Sequence, residues 1–299
     1  MSAPNLPIGS SDSAAEFLQR LERFAATEVS PDTSTVRLKL LTWLRAEQAA
    51  LPSMGLVHQL CGRAMDVAST AVTHGTSAQE LRANLAASCA AERQDLAEMR
   101  AAVALTATKL VTQKGSFIAT LSHSRTVFDA LIEVARLKRA PRVIVAEGRP
   151  HLEGRTMAAA LAAAGIPVWL VADAALPLLL SQTAMVWMGA EAITDRGVIN
   201  KIGSFAAALA AREHSVPVYA LAVRRKFLPA ATGALSILEK PPAELWDAPA
   251  EGVQARNIYS ELVPLELLRG IAVEDAVLGI TEAAQLARER ELPGELQGA

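Results

Sequence analysis

Residues 142–171 read RVIVAEGRPHLEGRTMAAALAAAGIPVWLV, and this stretch decides the fold. Arg142 opens a short apolar run, Val143–Ala146, rich in β-branched residues and of strand length. A Glu-Gly-Arg-Pro turn follows, then an alanine-rich helical segment over 153–164. Gly165 ends that helix and Pro167 opens a second apolar run over 167–171. Two short apolar strands separated by one helix read as a right-handed crossover between parallel strands. The all-apolar span from Met157 to Ala172 is interrupted by Gly165 and Pro167 and stops at Asp173. It falls short of the roughly 20 residues that a membrane-spanning helix needs.

The same rhythm continues on both sides. Strands are predicted at 116–121, 184–188 and 217–222, with helices at 125–138, 174–182 and 201–214. This is an α/β pattern, a Rossmann-like doubly wound parallel sheet covered on both faces. Before residue 113 the pattern is helical. Val36, Leu40, Trp43 and Leu44 share one helical face, and Leu85, Cys89, Leu96, Met99, Val103 and Leu110 share a stripe of one long helix. Asp12 precedes Ala14, Ala15 and Glu16 as a plausible N-cap. The expected organisation is a helical N-terminal domain over 1–112 and a Rossmann-like domain over 113–299. Residues 240–252, rich in Pro and Ala, read as a surface loop, and 257–282 as one more strand and helix.

Composition narrows the function. The chain has 299 residues, 29 basic and 31 acidic side chains, and a formal charge of −2; half of it is apolar. High hydrophobicity with low net charge excludes disorder, and the charge balance argues against direct nucleic-acid binding. Met1-Ser2-Ala3-Pro4-Asn5 has no basic or apolar signal region. Cys61 and Cys89 lie 28 residues apart without CxxC company and read as buried thiols. A cytoplasmic protein without membrane contact is the expectation. No GxGxxG follows the first strand and no GxxxxGK[ST] occurs, so no nucleotide cofactor is expected. His58, His74, His151 and His214 lack metal-ligand spacing, and no metal is expected either.

Ligands of open parallel sheets bind at the carboxyl ends of the strands. Ser122-His123-Ser124-Arg125 follows the first strand, Glu147-Gly148-Arg149-Pro150 and Gly154 follow the second, Gly189-Ala190-Glu191 follows 184–188, and Arg224-Arg225-Lys226-Phe227 follows 217–222. Each position has a plain and a functional reading. Ser124 either caps its helix or, with Arg125, holds a phosphate at a helix N-terminus. Arg149 is either a surface residue or an anion clamp. Glu191 is either a loop carboxylate or part of a site. Lys201, after Asn200 at a predicted helix start, is either solvated or an anion ligand. Arg224 and Arg225 read as partly solvated charges. His123 is the histidine nearest the edge. Together these residues point to a phosphorylated small molecule.

The run Gly189-Ala190-Glu191-Ala192-Ile193, with Gly197-Val198-Ile199-Asn200-Lys201-Ile202-Gly203, resembles the signature of the translation initiation factor 2B alpha/beta/delta family. That family includes methylthioribose-1-phosphate and ribose-1,5-bisphosphate isomerases. Arg149-Pro150 with Gly154, Gly165–Val168 with Asp173-Ala174-Ala175, Lys226-Phe227, and Asn257 through Pro264 extend the resemblance over about 115–277. It implies a helical N-terminal domain, a Rossmann-like C-terminal domain and dimers made through the latter. It also implies catalytic positions at 122 and 191, where the isomerases carry Cys and Asp. Here they are Ser122 and Glu191, and the factor's alpha subunit similarly lacks the Cys and has Glu.

Both changes weigh against isomerisation. A thiol near pKa ~8.5 is tunable, whereas a hydroxyl needs a dedicated base. The extra methylene of Glu191 moves its carboxylate by about 1 Å, enough to cost about 100-fold in a preorganised site. The expectation is an alpha-like protein that binds a sugar phosphate or nucleotide phosphate through Ser124, Arg125, Arg149, Gly154, Asn200, Lys201 and Lys226. It would act by homodimer assembly or through a translation-factor partner. The alternative is an isomerase with altered catalytic residues, Glu191 as base and Ser122 or His123 as partner.

Overall fold

A computed structural model of the chain describes residues 9–137, 139, 141–229 and 239–296. Met1–Asn5, and Lys138 at the predicted end of a helix, lie outside the described residues. Four helices come first: α1 (Ser10–Thr27), α2 (Thr33–Ala50), α3 (Gly55–Thr73) and α4 (Ala78–Thr108). Phe17, Leu18, Leu21 and Ala25 recur at helical spacing and bury one face of α1. The N-cap of α1 is Gly9, so Asp12 sits in the first turn rather than capping it, where its charge suits the helix dipole. Asp32 caps α2, accepting from Thr35 N at 2.8 Å. Ser77 and Glu80 form a reciprocal capping box on α4. At 31 residues α4 runs about 46 Å. Leu85, Cys89 and Val103 are fully buried along it, whereas Leu110 lies beyond its end at Thr108.

The alternating half follows as β1 (Phe117–Leu121), α5 (Arg125–Arg136), β2 (Arg142–Ala146), α6 (Glu153–Ala163), β3 (Val168–Val171), α7 (Leu176–Leu179), β4 (Met185–Met188), β5 (Ala192–Ile193), β6 (Gly197–Lys201), α8 (Ser204–Glu213) and β7 (Val218–Leu221). After the undescribed segment come β8 (Glu239–Lys240), β9 (Asn257–Ile258), β10 (Ser260–Pro264), β11 (Gly270–Ala272), β12 (Val277–Leu278) and α9 (Ile280–Arg288). The main sheet has the order β12-β11-β7-β4-β1-β2-β3. Its pairs are parallel except β11–β12.

Both faces of the central strands are buried, as continuous apolar strands require, whereas edge strand β3 leaves Trp169 and Leu170 exposed. Ile118, Val143, Val145 and Trp187 face one core, which also holds Val103 and Ala107 of α4 and Val127 and Leu131 of α5. Ala119, Leu121, Ile144, Val186 and Met188 face the other, with Ala207, Ala208 and Ala211 of α8. The fold is α/β, as the sequence rhythm implies.

Three expectations need correction. The segment 174–182 is not one helix; it breaks into a 3-10 turn, the single turn α7 with Pro177 at its start, and a second 3-10 turn. Residues 257–282 hold four short strands before α9, not one. Lys201 does not begin a helix. It ends β6, paired with Ser260, and Gly203 at φ 99° turns the chain into α8 at Ser204. With β5 and β10, β6 makes a small antiparallel sheet.

Candidate functional site

The chain builds the sheet outward from β1 in one direction through β2 and β3, then restarts on the other side with β4, β7 and β11. The order therefore reverses between β1 and β4, and the crevice beyond their carboxyl ends is where such sheets bind ligands. There lies a small cavity of about 50 Å³.

From β1 comes Ser122, in the left-handed region at φ 59°, its N–H donating to Ala146 O at 3.2 Å. Ser124 caps α5, accepting from Val127 N at 3.4 Å. Arg125 lines the cavity from an exposed position. From β4 come Gly189, Ala190 and Glu191. A Cβ on Gly189 would lie 2.6 Å from Ser124 Oγ, so a bare glycine lets the two loops touch. Glu191 is fixed at its backbone: its N–H donates to Ile199 O at 2.8 Å, and its carbonyl accepts from Gly55 N at 3.0 Å.

Two buried lysines complete the floor. Lys201 Nζ is 2.9 Å from Glu153 Oε1, both side chains nearly solvent-free, and 3.4 Å from the Tyr259 ring centroid. The Tyr259 hydroxyl donates to the same Glu153 oxygen. Lys226, on the 3-10 turn after β7, donates to Ala190 O at 2.6 Å. Asn200 Nδ2 donates to Ser204 Oγ at 2.9 Å. The first turn of α1 closes the top: Gly9, Ser10, Ser11 and Asp12 line the cavity, and Ser10 Oγ donates to Ala190 O at 3.4 Å.

The electrostatics follow from burial. Burial raises the Glu191 carboxyl above its ordinary range, against the Ser53 hydroxyl beside it and the pull of Lys201 and Lys226. It lowers Lys226 to about 8, against Glu191, and lowers Lys201 despite Glu153. Burial and the bond to Glu153 hold the Tyr259 hydroxyl protonated. Burial also lowers His123 and keeps its imidazole neutral near pH 7. Among the described residues, Glu153 Oε2 and Glu191 Oε2 are buried without a hydrogen-bond partner. No cluster of three or more His, Cys, Asp or Glu there is placed to hold a metal ion.

The cavity thus brings together Ser122, Ser124, Arg125, Glu191, Asn200, Lys201 and Lys226. Arg149 and Gly154 lie outside its lining. Arg149 has an exposed side chain, and its N–H donates to Asp173 Oδ2 at 2.8 Å. Gly154 is a packing position, where a Cβ would lie 2.0 Å from Ala146 O. Arg224 and Arg225 are both partly solvated and both paired, Arg224 with Asp275 at 2.7 Å and Arg225 with Glu92 and with Asp95 at 3.0 Å. Sequence reasoning missed Glu153, Tyr259 and the start of α1. The first two lie inside segments carrying the family resemblance, whereas nothing in residues 9–12 signals that a distant helix start caps this edge.

A larger groove of about 820 Å³ runs between α3 and α4. Its floor is apolar, and its one buried charge, Glu92, is already held by Arg63 and Arg225. The chemistry is concentrated in the smaller cavity.

Among the described residues, no helix is long and apolar enough to cross a membrane. A putative translation initiation factor eIF-2B subunit 2-like protein of Pyrococcus furiosus is 31% identical over 166 residues, 55% of this chain and 58% of that protein. Ribose 1,5-bisphosphate isomerase of Thermococcus kodakarensis is 33% identical over 186 residues, 59% of this chain and 58% of its own length. The chain therefore spans little more than half the length of these relatives. The crystal structure of the Pyrococcus horikoshii OT3 translation initiation factor eIF-2B has the same fold, with a TM-score of 0.78 at 23% identity, covering 92% of this chain and 93% of that one. The model of the Initiation factor 2 subunit family matches residues 8–278, and the chain belongs to that family.

Proposed function

We propose that this chain is a factor 2B alpha-like protein that binds a sugar phosphate or nucleotide phosphate in the β1–β4 cavity without isomerising it. The observation that carries this reading is the state of the acid/base groups. Where the resemblance implies a reactive thiol stands the Ser122 hydroxyl, which needs a base to ionise. Among the described residues no hydrogen bond joins the Ser122 hydroxyl to His123 or to any other base, and the lysine Lys201 is already committed to Glu153. The binding elements remain. The phosphate is assigned to the start of α5 at Ser124 and Arg125, facing Lys201 and Lys226, and the sugar hydroxyls to Glu191 and Asn200. Arg149 and Gly154 shape the neighbouring loop in this reading. Occupancy would be read out through assembly with a second copy or with a translation-factor partner.

One observation favours the second reading, a sugar-phosphate isomerase with altered residues. A buried carboxyl with a raised pKa, as at Glu191, is what a general acid or base requires near neutral pH. The test incubates the protein with ribose 1,5-bisphosphate and with methylthioribose 1-phosphate and follows product by NMR. Turnover ends the binding-only reading. A rise in Tm without turnover supports it, because saturation at 100 times Kd adds about 2.7 kcal/mol to stability.

A further inference from the structure

We propose that this cavity takes up a proton together with its anionic ligand, and that Glu191 holds that proton. The inference rests on the reading that the cavity binds a phosphorylated molecule, and it names how that binding is regulated. The walls are charge-balanced: Asp12, Glu153 and Glu191 face Arg125, Lys201 and Lys226. A phosphate monoester adds about −1.5 to −2 at pH 7, so an anion entering unaccompanied leaves excess negative charge at low dielectric.

The three acids are not equivalent. Glu153 already accepts from Lys201 and Tyr259. Asp12 is half-exposed at the start of α1. Glu191 is buried, and its Oε2 has no partner among the described residues. Neither lysine pairs with it directly: Lys201 is spent on Glu153, and Lys226 on the Ala190 carbonyl. Protonation turns the orphan Oε2 from an acceptor into a donor toward the ligand and cancels one charge in the same step. Burial already lifts the carboxyl toward that form.

The other groups facing Glu191 are Lys226 from the turn after β7, Lys201 from β6, Glu153 from α6, Asp12 from α1, His123 and Arg125 from the β1–α5 loop, and Tyr259 between β9 and β10. The Ser53 hydroxyl lies beside it, and Lys240 acts on it from farther off. Lys226 is the rival proton acceptor, with its pKa at about 8.

The test is titration calorimetry with inorganic sulfate, which stays dianionic over the range, and with ribose 5-phosphate. At pH 7 the binding enthalpy is measured in buffers of different ionisation enthalpy. The wild type is expected to take up between about 0.5 and 1 proton, and its sulfate affinity to fall with rising pH by up to about tenfold per unit. Glu191→Gln is expected to lose both the buffer dependence and the pH slope. Sulfate binding by the wild type without proton uptake overturns the inference and spares the binding reading. Full uptake in Glu191→Gln moves the proton elsewhere and overturns it too. If neither anion binds, the proposed function falls, and this inference with it.

Discussion

The loops after β2 and β4 begin alike, with a glycine within two residues of a glutamate at the same edge of one sheet, and they end in opposite roles. After β2, Gly154 N donates to Glu147 O at 2.9 Å, Asp173 takes the Gly148 and Arg149 amides, and the guanidinium of Arg149 points to solvent. That loop is filled with backbone. After β4, Gly189 and Ala190 are bordered by side chains, and Glu191 faces a cavity. The difference is set by strand order. β2 lies between β1 and β3, on one side of the reversal, whereas β4 meets β1 across it. Position at the carboxyl edge is therefore necessary for a site and not sufficient; position at the reversal selects which loop is left open.

The most severe way to sharpen this contrast is Gly154→Ala. The new Cβ would lie 2.0 Å from Ala146 O and 2.8 Å from Glu147 Cα, both backbone atoms that cannot step aside. Loss of soluble folded protein, or destabilisation beyond about 3 kcal/mol in urea unfolding, is expected. Next comes Lys201→Met, which strands Glu153 as a buried charge. A cost of about 3–5 kcal/mol is expected, with much of it recovered in Lys201→Met/Glu153→Gln. Equal midpoints for the single and double variants would show that the pair is not coupled.

Lys226 gives a pH-dependent test of smaller size. Its folded pKa of about 8 lies below the ordinary 10.5. Between these values the unfolded chain holds a proton that the folded chain has released, so stability rises with pH from about 8, by at most about 1.4 kcal/mol per unit. Tyr259, raised above 10, opposes this at higher pH, which confines the window to about pH 8–10. Urea unfolding at pH 8 and 9.5 is expected to show a gain of about 1–2 kcal/mol in the wild type that Lys226→Met lacks. Parallel pH curves for the two proteins would mean that Lys226 is not buried as described.

Much of this was legible before any coordinates, for physical reasons. Residues 117–121, 143–146 and 185–188 are almost wholly apolar and buried on both faces, and a strand covered on both sides has no polar alternation to obscure it. Glu191, Asn200 and Lys201 carried a motif, and strand order brings the first together with the other two. Arg149 misled because a cation beside a turn is the same in sequence whether it faces a cavity or solvent. The sequence reads Lys201 as a helix start because the helical pattern runs on to 214, whereas Gly203, two residues later, makes the reversal into α8. The start of α1 was illegible here, since its contact with Ala190 spans 180 residues.

The gentlest test returns to the two glycines. In Gly189→Ala the new Cβ would meet Ser124 Oγ at 2.6 Å and Ser124 Cβ at 2.8 Å, and both belong to one side chain. That side chain is also the α5 cap. Pushing it aside costs the cap, about 1 kcal/mol, and disturbs the proposed phosphate position. Ser124→Gly alone costs only a few tenths of a kcal/mol, because glycine is tolerated at an N-cap. Combining Ser124→Gly with Gly189→Ala removes both clashing atoms, so the double variant is expected to unfold near the Ser124→Gly midpoint, a coupling of about 1 kcal/mol. No second-site change of this kind rescues Gly154→Ala, where the obstacle is main chain. Strict additivity at Gly189 and Ser124 would show that the β1 and β4 loops do not touch, and the cavity between them would lose its wall.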